Sequence, residues 1–137
     1  MQKLYTAVAK ATGGREGKVQ TDDLQLDLNI EMPKALGGTG KEGTNPEQLF
    51  AAGYAACFDG ALNLVARTKR VKVGTTEVTS HVTIGKDASG FGLSVVLEVH
   101  VPGVSLDEAK MLVEEAHQVC PYSKATRGNM GVELKVV

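Results

Sequence analysis

Residues 45–58 read NPEQLFAAGYAACF. Asn45 can cap a helix, Pro46 suits a first helical position, and Gln48 stands where a capping box reaches back. These signals predict a helix running to about Arg67. From Leu49 to Phe58 it is apolar on every face, which predicts a helix buried on all sides. A chain of 137 residues can hardly surround such a helix alone, so a partner subunit is expected to supply part of its cover.

On the N-terminal side, residues 3–12 alternate loosely and read as a strand, GGREG at 13–17 as a turn, and 18–21 as a second strand. Leu24, Leu26, Leu28 and Ile30 alternate with polar residues, a period-2 strand with one buried face. Together they predict an antiparallel meander. Residues 33–44, PKALGGTGKEGT, read as a loop. On the C-terminal side, 71–84 and 91–102 read as strands around a turn at 85–90. Ser105 and Glu108 form a second capping box, and Leu106, Ala109, Leu112, Val113, Ala116 and Val119 line one face of the helix that follows. Pro121 ends it, and 131–137 read as a last strand. The order β-β-β-α-β-β-α-β is an α+β pattern in a single domain over residues 1–137.

Composition narrows the function classes. Fifteen Lys and Arg against 16 Asp and Glu give a net charge of -1, no electrostatic case for nucleic acid or an anionic membrane. The apolar stretch at 49–58 is about half the length of a membrane span, so no membrane partner is expected. The start MQKLYTAVAK shows no secretory hydrophobic region, so a cytoplasmic protein is expected. There are only two cysteines, Cys57 and Cys120, too few for a disulfide framework. They are either ordinary buried residues or chemistry. GTGKEG at 38–43 matches the dinucleotide fingerprint literally, but it follows an amphipathic strand and opens no βαβ unit. His117, Cys120 and Cys57 would make three scattered zinc ligands without a C-x-x-C pair, so no metal is expected. His81 and His100 read as exposed or hydrogen-bonded strand residues.

Burial alone raises a thiol pKa, so a reactive Cys57 needs a nearby cation. Cys120 stands at a helix C-terminus, where the macrodipole disfavours a thiolate. If the two cysteines divide labour, position makes Cys57 the attacking thiol and Cys120 the resolving one. NPEQLFAAGYAACF at 45–58, CPYSKATRGN at 120–129 and the GGREG turn together resemble the organic hydroperoxide resistance branch of the OsmC superfamily of thiol peroxidases. The resemblance spans essentially the whole chain. It implies an OsmC-like fold, antiparallel sheets around a long buried central helix, in an intertwined homodimer. It implies Cys57 as peroxidatic cysteine, Cys120 as resolving cysteine, Arg15 as catalytic arginine and Glu47 as the carboxylate that orients it. It implies reduction of organic hydroperoxides, those of fatty acids included, with a lipoylated protein or dihydrolipoamide as reductant and no cofactor. An OsmC-branch peroxidase, or a non-catalytic lipid-binding module of the same fold, is the alternative.

One geometric expectation goes further. Glu47 and Cys57 lie ten residues apart on one helix, about 15 Å along its axis. Two antiparallel copies crossing within the small-residue run at 51–53 would bring Glu47 of one chain to Cys57 of the other. That predicts a composite site.

Overall fold

A computed structural model describes all residues, 1–137. The chain divides into two compact units, Met1–Leu49 and Phe50–Val137.

In the first unit, β1 (Ala9–Thr12), β2 (Lys18–Thr21) and β3 (Asp27–Asn29) form an antiparallel sheet in the order β1-β2-β3. The meander is as expected, but two strands are shorter than their alternation suggested. Residues 1–8 make no strand, and Leu4, Tyr5, Leu24 and Leu26 stay exposed. In these stretches the alternating face has nothing within the chain to bury against. The turn between β1 and β2 is a single 3-10 turn, Gly14–Glu16. Gly13 and Gly14 take left-handed φ values of 79° and 63°, and a Cβ on Gly17 would stand 1.7 Å from the Thr12 carbonyl oxygen. Only glycine suits these positions. The end of this turn is tied inward: Ile30 N–H donates to the Gly17 carbonyl at 2.8 Å. Ile30 in turn forms a parallel bridge with Thr44, just before the long helix.

That helix, α1 (Pro46–Thr68), begins and ends where the sequence predicted, within a residue. Asn45 caps it, accepting the Gln48 N–H at 2.9 Å. The Gln48 side chain accepts from the Thr44 hydroxyl at 2.7 Å. By length and composition α1 is apolar enough to cross a membrane. Its Tyr54, Phe58, Leu62 and Val65 instead pack into the core of the second unit. The opposite stripe, Ala52, Ala56, Gly60 and Leu64, is exposed in the single chain.

In the second unit, β4 (Glu77–Asp87) and β5 (Gly90–His100) form an eleven-residue antiparallel hairpin. The expected strand start at 71 moves to Glu77 because residues 71–76 run without a ladder. The connection tightens to Asp87–Gly90, with Asp87 accepting the Ser89 N–H at 2.8 Å. α2 (Leu106–Val119) starts on Ser105, whose hydroxyl accepts the Glu108 N–H at 3.2 Å. Pro121 ends α2 and also opens a further helix, α3 (Pro121–Thr126), which the sequence reading missed. Proline at a first helical position loses no hydrogen bond, so one residue serves both ends. β6 (Gly131–Val136) then pairs with β5 in parallel, so this sheet is mixed rather than wholly antiparallel. Val95, Leu97 and Val99 of β5, Leu112, Val113 and Ala116 of α2, and the inner face of α1 make the core.

Candidate active site

Arg15 and Glu47 meet within the first unit. They are 32 residues apart in sequence, and the tie from Gly17 through Ile30 to Thr44 brings them together. The contact is bidentate: Nη1 donates to Oε2 at 2.9 Å and Nη2 to Oε1 at 2.6 Å. Such a fork fixes the plane of the guanidinium as well as its charge. Arg15's hydrogen bonds hold the Glu47 carboxyl below the usual carboxylate range, and Glu47 raises Arg15 in return. A guanidinium carries five N–H donors. Glu47 engages two and partly balances the charge, which leaves three N–H donors for a further acceptor.

Cys57 and Cys120 meet within the second unit. Both are free thiols, and the Cys120 thiol donates to the Cys57 sulfur across 3.6 Å. Cys120 is fully buried, whereas Cys57 is partly open. Burial pushes the Cys57 thiol above its ordinary pKa, a backbone N–H from Tyr122 pulls it back, and the neighbouring Cys120 raises it. A thiolate at Cys57 therefore needs a cation, as the sequence suggested. Cys120 stands between two helix ends, not at one. Its N–H caps α2 on the Ala116 carbonyl at 2.8 Å, and its own carbonyl accepts the Lys124 N–H at 3.0 Å to open α3. Cys120 thus touches the negative end of one helix and the positive end of another. Accessibility, rather than helix position, now ranks the two sulfurs.

The small residues near Cys57 have separate causes. A Cβ on Gly53 would stand 2.8 Å from the Tyr122 hydroxyl, so Gly53 is small to admit a ring of its own chain. A Cβ on Gly60 would meet nothing within 4 Å. The exposed small residues of α1 are Ala52, Ala56 and Gly60. Phe50, Tyr54 and Tyr122 cluster with ring centroids 5.7–6.2 Å apart beside Cys57. This apolar wall and the Tyr122 N–H were not read from the sequence. The signal was Pro121, a helix start as well as a stop.

His117 turns to Ser123, its Nδ1 2.8 Å from the hydroxyl oxygen. No group of three or more His, Cys, Asp or Glu side chains is placed to hold a metal ion. His81 pairs with Glu98 at 3.0 Å, and His100 Nδ1 lies 3.1 Å from the Val137 carbonyl, both exposed strand contacts. The glycines at 38–43 lie in a loop after a 3-10 turn, Lys34–Leu36, with no βαβ unit around them.

The chain matches the OsmC-like protein family over residues 38–135. It is 56% identical over 138 residues to the organic hydroperoxide resistance protein OhrA of Bacillus subtilis, covering 98% of this chain and 97% of the relative. It is 54% identical over 132 residues to the organic hydroperoxide resistance protein of Xanthomonas axonopodis pv. citri, covering 96% and 93%. The crystal structure of an organic hydroperoxide resistance protein from Elizabethkingia anophelis superposes with a TM-score of 0.95 at 54% identity, over 99% of this chain and 98% of that one.

Proposed function

The chain belongs to the OsmC-like family, among its organic hydroperoxide resistance proteins, and from that premise we propose that it is a cysteine-based peroxidase reducing organic hydroperoxides to alcohols. The observation that carries this is the pair of free thiols 3.6 Å apart, the partly open Cys57 beside the buried Cys120. In the first step the Cys57 thiolate attacks the outer peroxide oxygen. The O–O bond breaks, the alkoxide takes a proton and leaves as alcohol, and Cys57 becomes a sulfenic acid. Arg15, held flat by Glu47, stabilises the thiolate and the developing alkoxide. In the second step the Cys120 sulfur displaces water from Cys57 and forms a Cys57–Cys120 disulfide. A dithiol of the dihydrolipoyl type, free or on a lipoylated protein, restores both thiols by exchange. The aromatic wall of Phe50, Tyr54 and Tyr122 suits an alkyl or fatty-acid hydroperoxide better than hydrogen peroxide.

The working form is a homodimer of one-domain chains in the cytoplasm, with composite sites. Arg15 is bound to Glu47 of its own chain, so the two travel together. Glu47 and Cys57 are separated by about 15 Å of α1. An antiparallel pair of α1 helices touching along Ala52, Ala56 and Gly60 carries one chain's Arg15–Glu47 pair to the other's Cys57. Close helix approach needs small side chains, and Ala52 is the midpoint between residues 47 and 57.

Turnover of a fatty-acid hydroperoxide by the purified chain tests the reading, with dihydrolipoamide compared against thioredoxin and glutathione. Rapid turnover with the dihydrolipoyl dithiol, lost in Cys57→Ser, is expected. Undiminished turnover in Cys57→Ser would overturn it.

A further inference from the structure

Three buried hydroxyls and one half-buried imidazole form a chain behind the cysteines. Tyr54 and Ser123 are fully buried, and Thr126 is nearly so. The Tyr54 hydroxyl lies 2.8 Å from Ser123 Oγ and 3.2 Å from Thr126 Oγ1. Ser123 Oγ lies 2.8 Å from His117 Nδ1, and the Thr126 hydroxyl donates to the Ser123 carbonyl at 3.2 Å. One serine oxygen therefore joins α1, α2 and α3, and its links bracket Cys120 from both sides in sequence. Burial, aided by the Arg127 guanidinium, holds His117 below its usual pKa.

We propose that Ser123 is a positioning residue for the disulfide step, holding the α2–α3 junction so that the Cys120 sulfur stays within reach of Cys57. This rests on the peroxidase reading above. The step is Cys57–SOH plus Cys120–SH giving the disulfide and water. The sulfurs stand 3.6 Å apart and must close to about 2.05 Å. Cys120 is anchored by its backbone to both helices, so the junction has to supply that movement along one path. Ser123 is the only side chain of the junction bonded to α1 and α2 together. Its position limits how far Cys120 drifts while Cys57 is oxidised. A misplacement of about 1 Å in a reacting pair is enough to cost up to about 100-fold in rate.

Ser123→Ala is a gentle variant. Tyr54 keeps Thr126 as partner, and His117 is only partly buried, so no buried group is orphaned. Rapid-quench mass spectrometry of the full chain with one equivalent of a fatty-acid hydroperoxide separates the two steps. In Ser123→Ala, sulfenic acid forms within about twofold of the wild-type rate, while the disulfide forms about tenfold more slowly. Sulfenic acid then accumulates and traps with dimedone, and excess peroxide drives it to sulfinic acid. Tyr54→Phe gives a similar delay, and the double variant is no slower than the single ones, because both cut one chain. A wild-type rate of disulfide formation in Ser123→Ala overturns the proposal. So does equal slowing of both steps with a lowered melting temperature, which marks a merely structural residue. A wild-type chain that forms neither sulfenic acid nor disulfide instead defeats the peroxidase reading, a distinct result.

Discussion

In the proposed reaction Arg15 sets what Cys57 can do. Burial raises the Cys57 pKa within its own chain, the Tyr122 N–H offsets part of that, and the proposed cation supplies the rest. In Arg15→Ala only the Tyr122 N–H opposes that burial. The pH at half-maximal Cys57 alkylation then moves above the ordinary thiol value of about 8.5, and peroxide turnover at pH 7 falls about 100-fold or more. An alkylation profile unchanged from wild type would contradict this role. Glu47 has the opposite sign. Its folded pKa is lowered, so its pairing stabilises the fold above the usual carboxylate value of about 4.3 and is lost as pH falls through the lowered one. Between pH 5 and 8 the pair is intact, so that pair does not titrate there. Neither Arg15 nor Glu47 is readable as a site residue from its own surroundings. A turn arginine is ordinarily solvated, and a glutamate in a first helical turn serves the dipole. The resemblance singled them out, and the ladder from Gly17 to Thr44 is the physical reason they meet.

Among the elements, α1 was the most legible because its signals are local: Asn45 and Pro46 start it, and its apolar run fixes its length. α2 was legible for the same reason, through Ser105 and its apolar face. The strands were less so. Alternation at 3–8 and 24–26 requires a partner surface that one chain does not provide, and 71–76 has β-branched residues without a ladder. α3 was hidden because proline was read only as a stop. The GGREG turn makes a sharp prediction at this scale. A Cβ on Gly17 has no room beside the Thr12 carbonyl, so Gly17→Ala shifts the turn and its bond to Ile30. Stability then falls by about 1–3 kcal/mol. Turnover falls about tenfold or more, because Arg15 no longer sits squarely on Glu47. Calorimetry and steady-state rates check both, and full turnover in a destabilised Gly17→Ala would remove the turn from the account.

For the whole molecule, the claim is that each site is shared between two chains. Chains carrying Cys57→Ser and chains carrying Arg15→Ala are each nearly inactive alone. Refolded together as a mixture, they form mixed dimers holding one intact site, with Cys57 from one chain and Arg15 from the other. Random pairing gives about a quarter of wild-type turnover. A site built within one chain gives no recovery. The exposed stripe on α1 and the uncovered apolar residues of the N-terminal segment are what such a pairing would bury. The most direct test of the chemistry is the mass and thiol state of the reduced chain after one equivalent of a fatty-acid hydroperoxide. The account predicts one equivalent of alcohol, loss of the mass of two hydrogens per chain, and a mapped disulfide between Cys57 and Cys120. Hydroperoxide consumed with both thiols still free, or left unconsumed, would contradict it.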